Sequence, residues 1–398
     1  MKSAIFMTTA LLAAFSAVQA HATDPTPRLG SDQFAVAYQI DIGHTGAITF
    51  DKSFAPPLKM AWKKNISGVI SYPLIAEGKV FVTVGQPNKR TSKLYALDET
   101  NGKTIWTLEV DSLSQGVGGF PSWANAAYDN GEIFVLNGFG LLRAVQAATG
   151  AVLWTTQLSG QFQFTVPPIA ADGLVFTSAA GLGGTLYAVD QATGALRWTK
   201  DVASGDRLAM SYEDVAASNA CSFEGFDPPT GNLRWNHSLG CSGGNNLMPV
   251  HYRGHVYART DLSTGFVLDS NTGQVTGNFS ASFTPALQGD VKYSATPATL
   301  TATAIDTGDT LWSFDGDGQM ITPPLVINDS VYIASATGNI FVLDRLTGTS
   351  LATISLGIPI PGTGTAEGDF EAPLAAMGAG DGLLVVPAHN SLVAFKAN

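Results

Sequence analysis

The chain has 398 residues, of which 45% are hydrophobic and only 13% are charged, and its formal net charge is −11. A sparse, acidic charge set lacks the clustered Lys and Arg that nucleic acid demands, so a nucleic-acid partner is excluded. The pairs Lys63-Lys64 and Lys89-Arg90 are too small to be patches and read as solvated loop charges.

Residues 1–22 read as a secretory signal: Lys2 gives a positive start, residues 5–18 are mostly apolar, and Ala20 or Ala22 ends a small-residue cleavage site. The apolar run is too short for a membrane span, no later stretch reaches about 18 apolar residues, and no Cys follows the signal to take a lipid. The expectation is a periplasmic or secreted protein without a membrane span. Residues 23–57 form a polar, proline-bearing lead-in too short to be a domain. Residues 58–64 then have the pattern of an outer strand with no blade of its own.

From Tyr72 the chain repeats. Residues 72–76, 79–84, 94–98 and 104–108 predict four short strands joined by tight turns. The turn before the fourth strand reads Asp-x-x-Thr-Gly, with Trp four residues on: Asp98, Gly102, Trp106. Asp190, Gly194 and Trp198 repeat the phrase, as do Asp227, Gly231 and Trp235, and Gln146 replaces the Asp ahead of Gly150 and Trp154. Gly273 and Gly348 keep the turn with Gly277 and Ala352 in the Trp place, and a shortened Asp306-Thr307-Gly308 precedes Trp312. The carboxylate can accept N–H bonds from the turn, Gly supplies the positive φ, and Trp can fill the gap against the neighbouring blade.

The marker glycines recur every 41 residues on average, a β-propeller period. Inner strands are expected near Tyr72, Trp123, Val166, Tyr212, Met248, Tyr293, Thr322 and Ala372. That predicts an all-β, eight-bladed propeller over residues 58–398, with seven blades as the fallback. The eighth blade runs out of chain after three strands, so residues 58–64 should supply its fourth and close the ring, removing open sheet edges. The repeats at Gly231 and Gly308 are short, and their blades are expected to lack a full strand. Cys221 and Cys241 flank a turn of the fourth blade, and in an oxidising compartment they should form a disulfide worth about 3 kcal/mol.

The phrases L-Y-A-L-D-E-T-N-G-K-T-I-W at 94–106 and L-Y-A-V-D-Q-A-T-G-A-L-R-W at 186–198 resemble the PQQ-enzyme repeat of the quinoprotein-like propellers. The resemblance covers nearly all of the chain after the signal. Asp41-Ile42-Gly43-His44-Thr45-Gly46 is similar to a short segment that precedes the first propeller strand in many such proteins, and as residues it reads as a capping turn. Two functions go with this resemblance. One branch, the quinoprotein alcohol dehydrogenases, holds pyrroloquinoline quinone (PQQ) and a divalent ion such as Ca²⁺ over the channel. The other lacks the cofactor and uses the ring as a binding platform, as in the periplasmic scaffold of the outer-membrane barrel assembly machine; this chain is closest in type to that branch.

The dehydrogenase branch implies an adjacent-cysteine disulfide and a Glu, an Asn and an Asp around the cation. Here the cysteines are separated, and the scattered Glu213, Asp214, Asn245, Asn246 and Asp290, with Trp123 as a stacking floor, match no family position. His251 and His255 on one extended strand would be about 13 Å apart, too far to share a metal unless a turn at Gly254 folds them together. Asp315-Gly316-Asp317-Gly318 reads as a polar turn.

Loops joining each outer strand to the next inner strand should ring one channel mouth. They are expected to bring Phe120, Trp123, Phe162, Phe164, Arg207, Tyr212, Glu213, Asn245, Asn246, Asp290, Tyr293, Glu367, Asp369 and Phe370 there. Aromatics among polar groups suit a ligand or peptide platform. The reading is an exported, monomeric, non-catalytic propeller without cofactor or metal that binds a protein, peptide or glycan at this mouth. The alternative is a small PQQ-dependent oxidoreductase acting on alcohols or sugars.

Overall fold

The computed structural model describes residues 33–86, 91–110, 123–181, 183–202, 207–211, 213–218, 221–240, 247–260, 263–362 and 375–398. The expected signal segment lies outside them. Among the described residues every regular element is a strand, and the strands form eight sheets arranged as an eight-bladed propeller. The inner strands of blades 1 to 8 are Leu74–Ala76, Ala124–Asp129, Ile169–Ala171, Arg207–Met210, Val250–Tyr252, Ala286–Gln288, Leu325–Ile327 and Gly378–Gly380. The predicted ring closure is present. Leu58–Asn65 lies antiparallel to Ser391–Ala397, with Leu58 opposite Ala397 and Asn65 opposite Ser391, and so completes blade 8.

Two expectations are corrected. The blades at Gly231 and Gly308 are complete, with four strands each. Their second strands, Val215–Ser218 and Val291–Ala295, are shorter than Lys79–Gln86 of blade 1. The turn before the fourth strand keeps its full length, Gly308 N donating to Ala304 O at 3.0 Å as Gly231 N does to Asp227 O at 2.7 Å. Two predicted inner strands were also displaced. Blade 4 opens at Arg207–Met210, ahead of Tyr212, and Tyr293 lies in the second strand of blade 6, Val291–Ala295.

Burial grades outward across each blade. In blade 3 the inner Ile169–Ala171 is wholly buried, whereas the outer Leu196–Val202 alternates between exposed and half-buried residues. That alternation is the signature of a strand with one face against a neighbour and one in solvent.

The repeated phrase is a docking device between blades. Asp98 Oδ1 accepts from Thr100 N at 2.9 Å and Asn101 N at 3.2 Å, and Gly102 N donates back to Asp98 O at 2.8 Å. The turn forces Gly102 to φ +69°, and a Cβ there would sit 2.6 Å from the Trp62 ring of the preceding blade. The glycine thus serves both the turn and the stacked indole. Trp106 covers Gly150, Trp154 covers Gly194, Trp198 covers Gly231, Trp235 covers Gly273 and Trp312 covers Gly348 in the same way. Each indole N–H also donates to a carbonyl of the turn it covers, for example Trp106 to Ala147 O at 3.0 Å and Trp154 to Gln191 O at 2.7 Å.

Candidate functional site

Strand direction sorts the turns onto two faces. Turns from first to second strand and from third to fourth strand share one face, and they are hydrogen-bonded there: Glu99 N to Gly78 O at 3.1 Å, Gln191 N to Gly173 O at 2.9 Å, Ser270 N to Gly254 O at 2.9 Å. Connections from an outer strand to the next inner strand lie on the opposite face.

The first face is closed. Residues 33–48 of the lead-in run around the inside of the ring and meet the inner strands one after another. Asp381 N donates to Gln33 O at 2.6 Å, Ile75 N to Ala35 O at 2.9 Å, Tyr128 N to Val36 O at 2.8 Å and Met210 N to Ile42 O at 2.9 Å. His251 N then donates to Gly43 O, Leu287 N to Thr45 O and Val326 N to Gly46 O, each at 2.8 Å, before Ala47–Ile48 pairs parallel with blade 7. The hydrogen bonds satisfy strand edges that would otherwise face an open channel.

The side chains of this plug are buried to match. Tyr38 packs edge-on against Tyr72 and His44, with centroids 5.6 Å away in both cases. His44 is fully buried, its Nδ1 lies 3.4 Å from Pro249 O, and burial lowers its pKa to about 4. Asp41 accepts from Thr45 N at 2.9 Å and from the Thr45 hydroxyl, and burial raises its carboxyl above the ordinary range in spite of those bonds. The expected capping turn at residues 41–46 is therefore the part of the plug that passes blades 4 to 7. Nothing in its composition signalled this, since its contacts run through the backbone.

The structure divides the predicted site residues between the faces. On the opposite face, Trp123 is buried with its ring against Gly138, Phe164 is buried against Gly140 and Tyr187, and Phe162 is 53% exposed over Gly181. Arg207 is fully buried there and donates to Thr165 O at 2.6 Å. On the closed face, Glu213 accepts from Arg234 through its backbone, and Asp290 pairs with Arg253 at 2.6 Å. Tyr293 is buried and reaches Arg345 O at 3.3 Å. Glu213, Asp290 and Tyr293 do not join Phe162 and Arg207. Glu213 and Asp290 follow the inner strands Arg207–Met210 and Ala286–Gln288 instead of preceding them, and each strand step exchanges the faces. Phe120, Tyr212, Asn245, Asn246, Glu367, Asp369 and Phe370 lie outside the described residues.

Sequence reasoning missed a second arginine on the face that carries Phe162. Arg259 is fully buried at the end of a blade 5 strand and donates to Ser282 O at 2.9 Å and Thr284 Oγ1 at 3.1 Å. An isolated Arg in a strand carries no sequence signal. Asp317 holds a neighbouring loop, accepting from Ser335 Oγ at 2.5 Å and Thr337 Oγ1 at 2.9 Å, as a polar turn should.

A Ca²⁺-held quinone needs six or more converging oxygens on the cation. Asp290 is tied to Arg253, and Asp214 is buried 3.7 Å from His251 Nε2 and 3.9 Å from Arg234 Nη1. Burial raises Asp214 above the usual carboxylate range, with His251 and Arg234 opposing that rise. Among the described residues no three His, Cys, Asp or Glu side chains assemble as metal ligands. Of the candidates, Asp214 and Asp290 are thus engaged by cationic side chains, and Asn245 and Asn246 lie outside the described residues. Cys221 is buried, no cysteine is free among the described residues, and Cys241 lies outside them.

Residues 90–261 and 224–394 match the family described as outer membrane protein assembly factor BamB. The chain belongs to this family. It is also similar to the dehydrogenase subunit of a quinone alcohol dehydrogenase from Gluconobacter oxydans (strain 621H), at 30% identity over 148 residues. That match covers 31% of this chain and 18% of the relative, so the chain corresponds to less than a fifth of that protein. Among solved structures, BamB from Moraxella catarrhalis superposes with a TM-score of 0.64 at 15% identity, over 85% of this chain and 99% of the other. Quinohemoprotein alcohol dehydrogenase from Comamonas testosteroni gives 0.71 at 15% identity, over 92% of this chain and 81% of the other. At such identities the two superpositions speak for a shared fold. No helix among the described residues is long and apolar enough to cross a membrane.

Proposed function

We propose that this protein is an exported, non-catalytic propeller that binds a partner protein at the mouth of its ring opposite the lead-in, in the assembly of outer-membrane proteins. One observation carries the reading: the lead-in occupies the mouth on one face, hydrogen-bonding the ends of seven of the eight inner strands, and no described segment fills the opposite mouth. Phe162, exposed beside the buried Phe164 and Arg207, offers an apolar contact on a held loop. The family match supports the partner class. A disulfide between Cys221 and Cys241 would pin the blade 4 outer strand beside this mouth.

The test is co-purification of the tagged protein with the outer-membrane assembly proteins of its own host. Replacing Phe162 by Asp should reduce recovery about tenfold, since a buried aromatic contact is worth on the order of 1–2 kcal/mol. Undiminished recovery sinks the reading. The similarity to a quinone alcohol dehydrogenase subunit supports a second one, a PQQ-dependent oxidoreductase. Adding the quinone with Ca²⁺ and measuring bound-quinone absorbance and dye reduction across an alcohol panel separates the two.

A further inference from the structure

The plug leaves a gap. By strand register, Ile75, Ala170, His251, Leu287 and Val326 are equivalent inner-strand positions, opposite Val80, Val175, Val256, Lys292 and Val331. At four of them the backbone N–H donates to a plug carbonyl, and Tyr128 and Met210 do the same in blades 2 and 4. At Ala170, in blade 3, no carbonyl of the described plug residues accepts. Between Val36 and Ile42 the plug turns back on itself instead: Ala37 bridges Ile40, and Gln39 and Ile40 take positive φ of 52° and 79°.

Beside that gap a cleft of about 700 Å³ opens on the closed face between blades 2, 3 and 4. Its floor is apolar, with Phe176, Met210 and Pro228, and its rim carries three carboxylates, Glu132, Asp172 and Asp190, with one cation, Arg197. Asp190 is already engaged by Arg197 at 3.0 Å and by Thr193, whereas no ion pair among the described residues takes Glu132 or Asp172. Asp129, half-buried, pairs in register with Glu132. Burial, and then the Asp172 charge, hold it above the usual carboxylate range, and burial with Asp129 does the same to Glu132. A cation at this rim meets the charges of Glu132 and Asp172, which no ion pair among the described residues offsets.

We propose that this cleft binds an extended peptide segment of a partner protein, carrying a Lys or Arg beside an apolar side chain. The volume lies within the range of ligand sites, roughly 300–1,000 Å³. The apolar floor accepts the neighbouring side chain and the stem of the Lys, and the rim accepts its charge. A peptide is favoured over a small free cation because backbone carbonyls meet the other inner strands on this face, and blade 3 is the place where one is missing. The site is on the opposite face from Phe162, so it stands or falls separately from the function proposed above.

The experiment is calorimetric titration of the full chain with acetyl-Leu-Lys-Leu-Lys-amide, its Glu counterpart and spermidine. The Lys peptide should bind at least about tenfold tighter than the Glu peptide. The double variant Glu132→Gln/Asp172→Asn should weaken the Lys peptide about tenfold, and Phe162→Asp should leave it unchanged. Affinity should also fall as pH drops from neutral into the carboxylate range, because the acids lose their charge. No binding, equal binding of the two peptides, or an unaltered affinity in the double variant overturns the site. Spermidine binding as tightly as the Lys peptide overturns the peptide as its occupant. Both substitutions keep side-chain shape, and an unchanged urea midpoint excludes unfolding as the cause of a lost affinity.

Discussion

The junction between blades 1 and 2 and the junction between blades 5 and 6 solve the same packing problem with different side chains. At the first, Trp106 lies over Gly150, donates to Ala147 O at 3.0 Å and packs 5.9 Å from Phe81. At the second, Gly277 stands in the Trp place, and a Cβ on Gly308 would meet nothing within 4 Å. The contacts here are instead Phe279 against Tyr257 at 5.9 Å, Lys292 Nζ 4.9 Å over the Phe279 ring, and Arg253 paired with Asp290. One junction is apolar and fully reciprocal; the other relies on a buried ammonium and an exposed ion pair. The difference teaches where the ring is weakest, and four substitutions measure it.

The largest effect is expected from Trp106→Ala, which removes an indole, its hydrogen bond and the stacking over Gly150. It should destabilise by about 3–4 kcal/mol, read as a lowered urea midpoint. A loss below 1 kcal/mol would mean that the indoles decorate the ring without holding it.

Next comes Lys292. Burial lowers its ammonium to about 8 from 10.5. The unfolded chain therefore holds this proton more tightly than the folded one, and charging Lys292 costs stability at every pH below about 8. That cost, about 3 kcal/mol at most by linkage, disappears as pH rises from about 8 to 10.5. Lys292→Met should raise stability at pH 7 by about 2 kcal/mol once the lost contact with Phe279 is counted. It should also flatten the rise in the urea midpoint between those pH values; a rise of unchanged steepness contradicts the assignment.

Gly277→Trp tests the comparison by converting one junction toward the other. The indole has open space over Gly308, and about 1 kcal/mol of stabilisation is expected in thermal unfolding. A destabilised variant would show that Phe279 and Lys292 already fill the gap. The smallest effect belongs to Arg253→Ala. Its pair with Asp290 is exposed on both sides, so the change should stay within about 1 kcal/mol and shrink further in high salt.

The blade period, the turn chemistry, the six stacked tryptophans and the closing strand at Leu58–Asn65 were all legible in the residues. Each is a local pattern, in which a carboxylate, a glycine and an indole at fixed spacing carry their own stereochemical reason. The short repeats mislead, since shorter strands such as Val215–Ser218 and Val291–Ala295 look in the spacing like a missing strand. The mouth residues were legible only in part. Phe162 and Arg207 were placed on the face opposite the plug, whereas Glu213 and Asp290 fell on the other, because a face depends on counting strands and a single miscount reverses it.

Length, repeat and turn chemistry were enough to determine a closed eight-bladed ring, because every blade encodes its own turns and its own wedge against the next. Tertiary structure alone decided which mouth is filled, where the plug leaves blade 3 unmet, and that Glu132 and Asp172 share one cleft rim. Those outcomes rest on backbone hydrogen bonds and on contacts between distant blades. Neither leaves a periodic trace in the order of side chains.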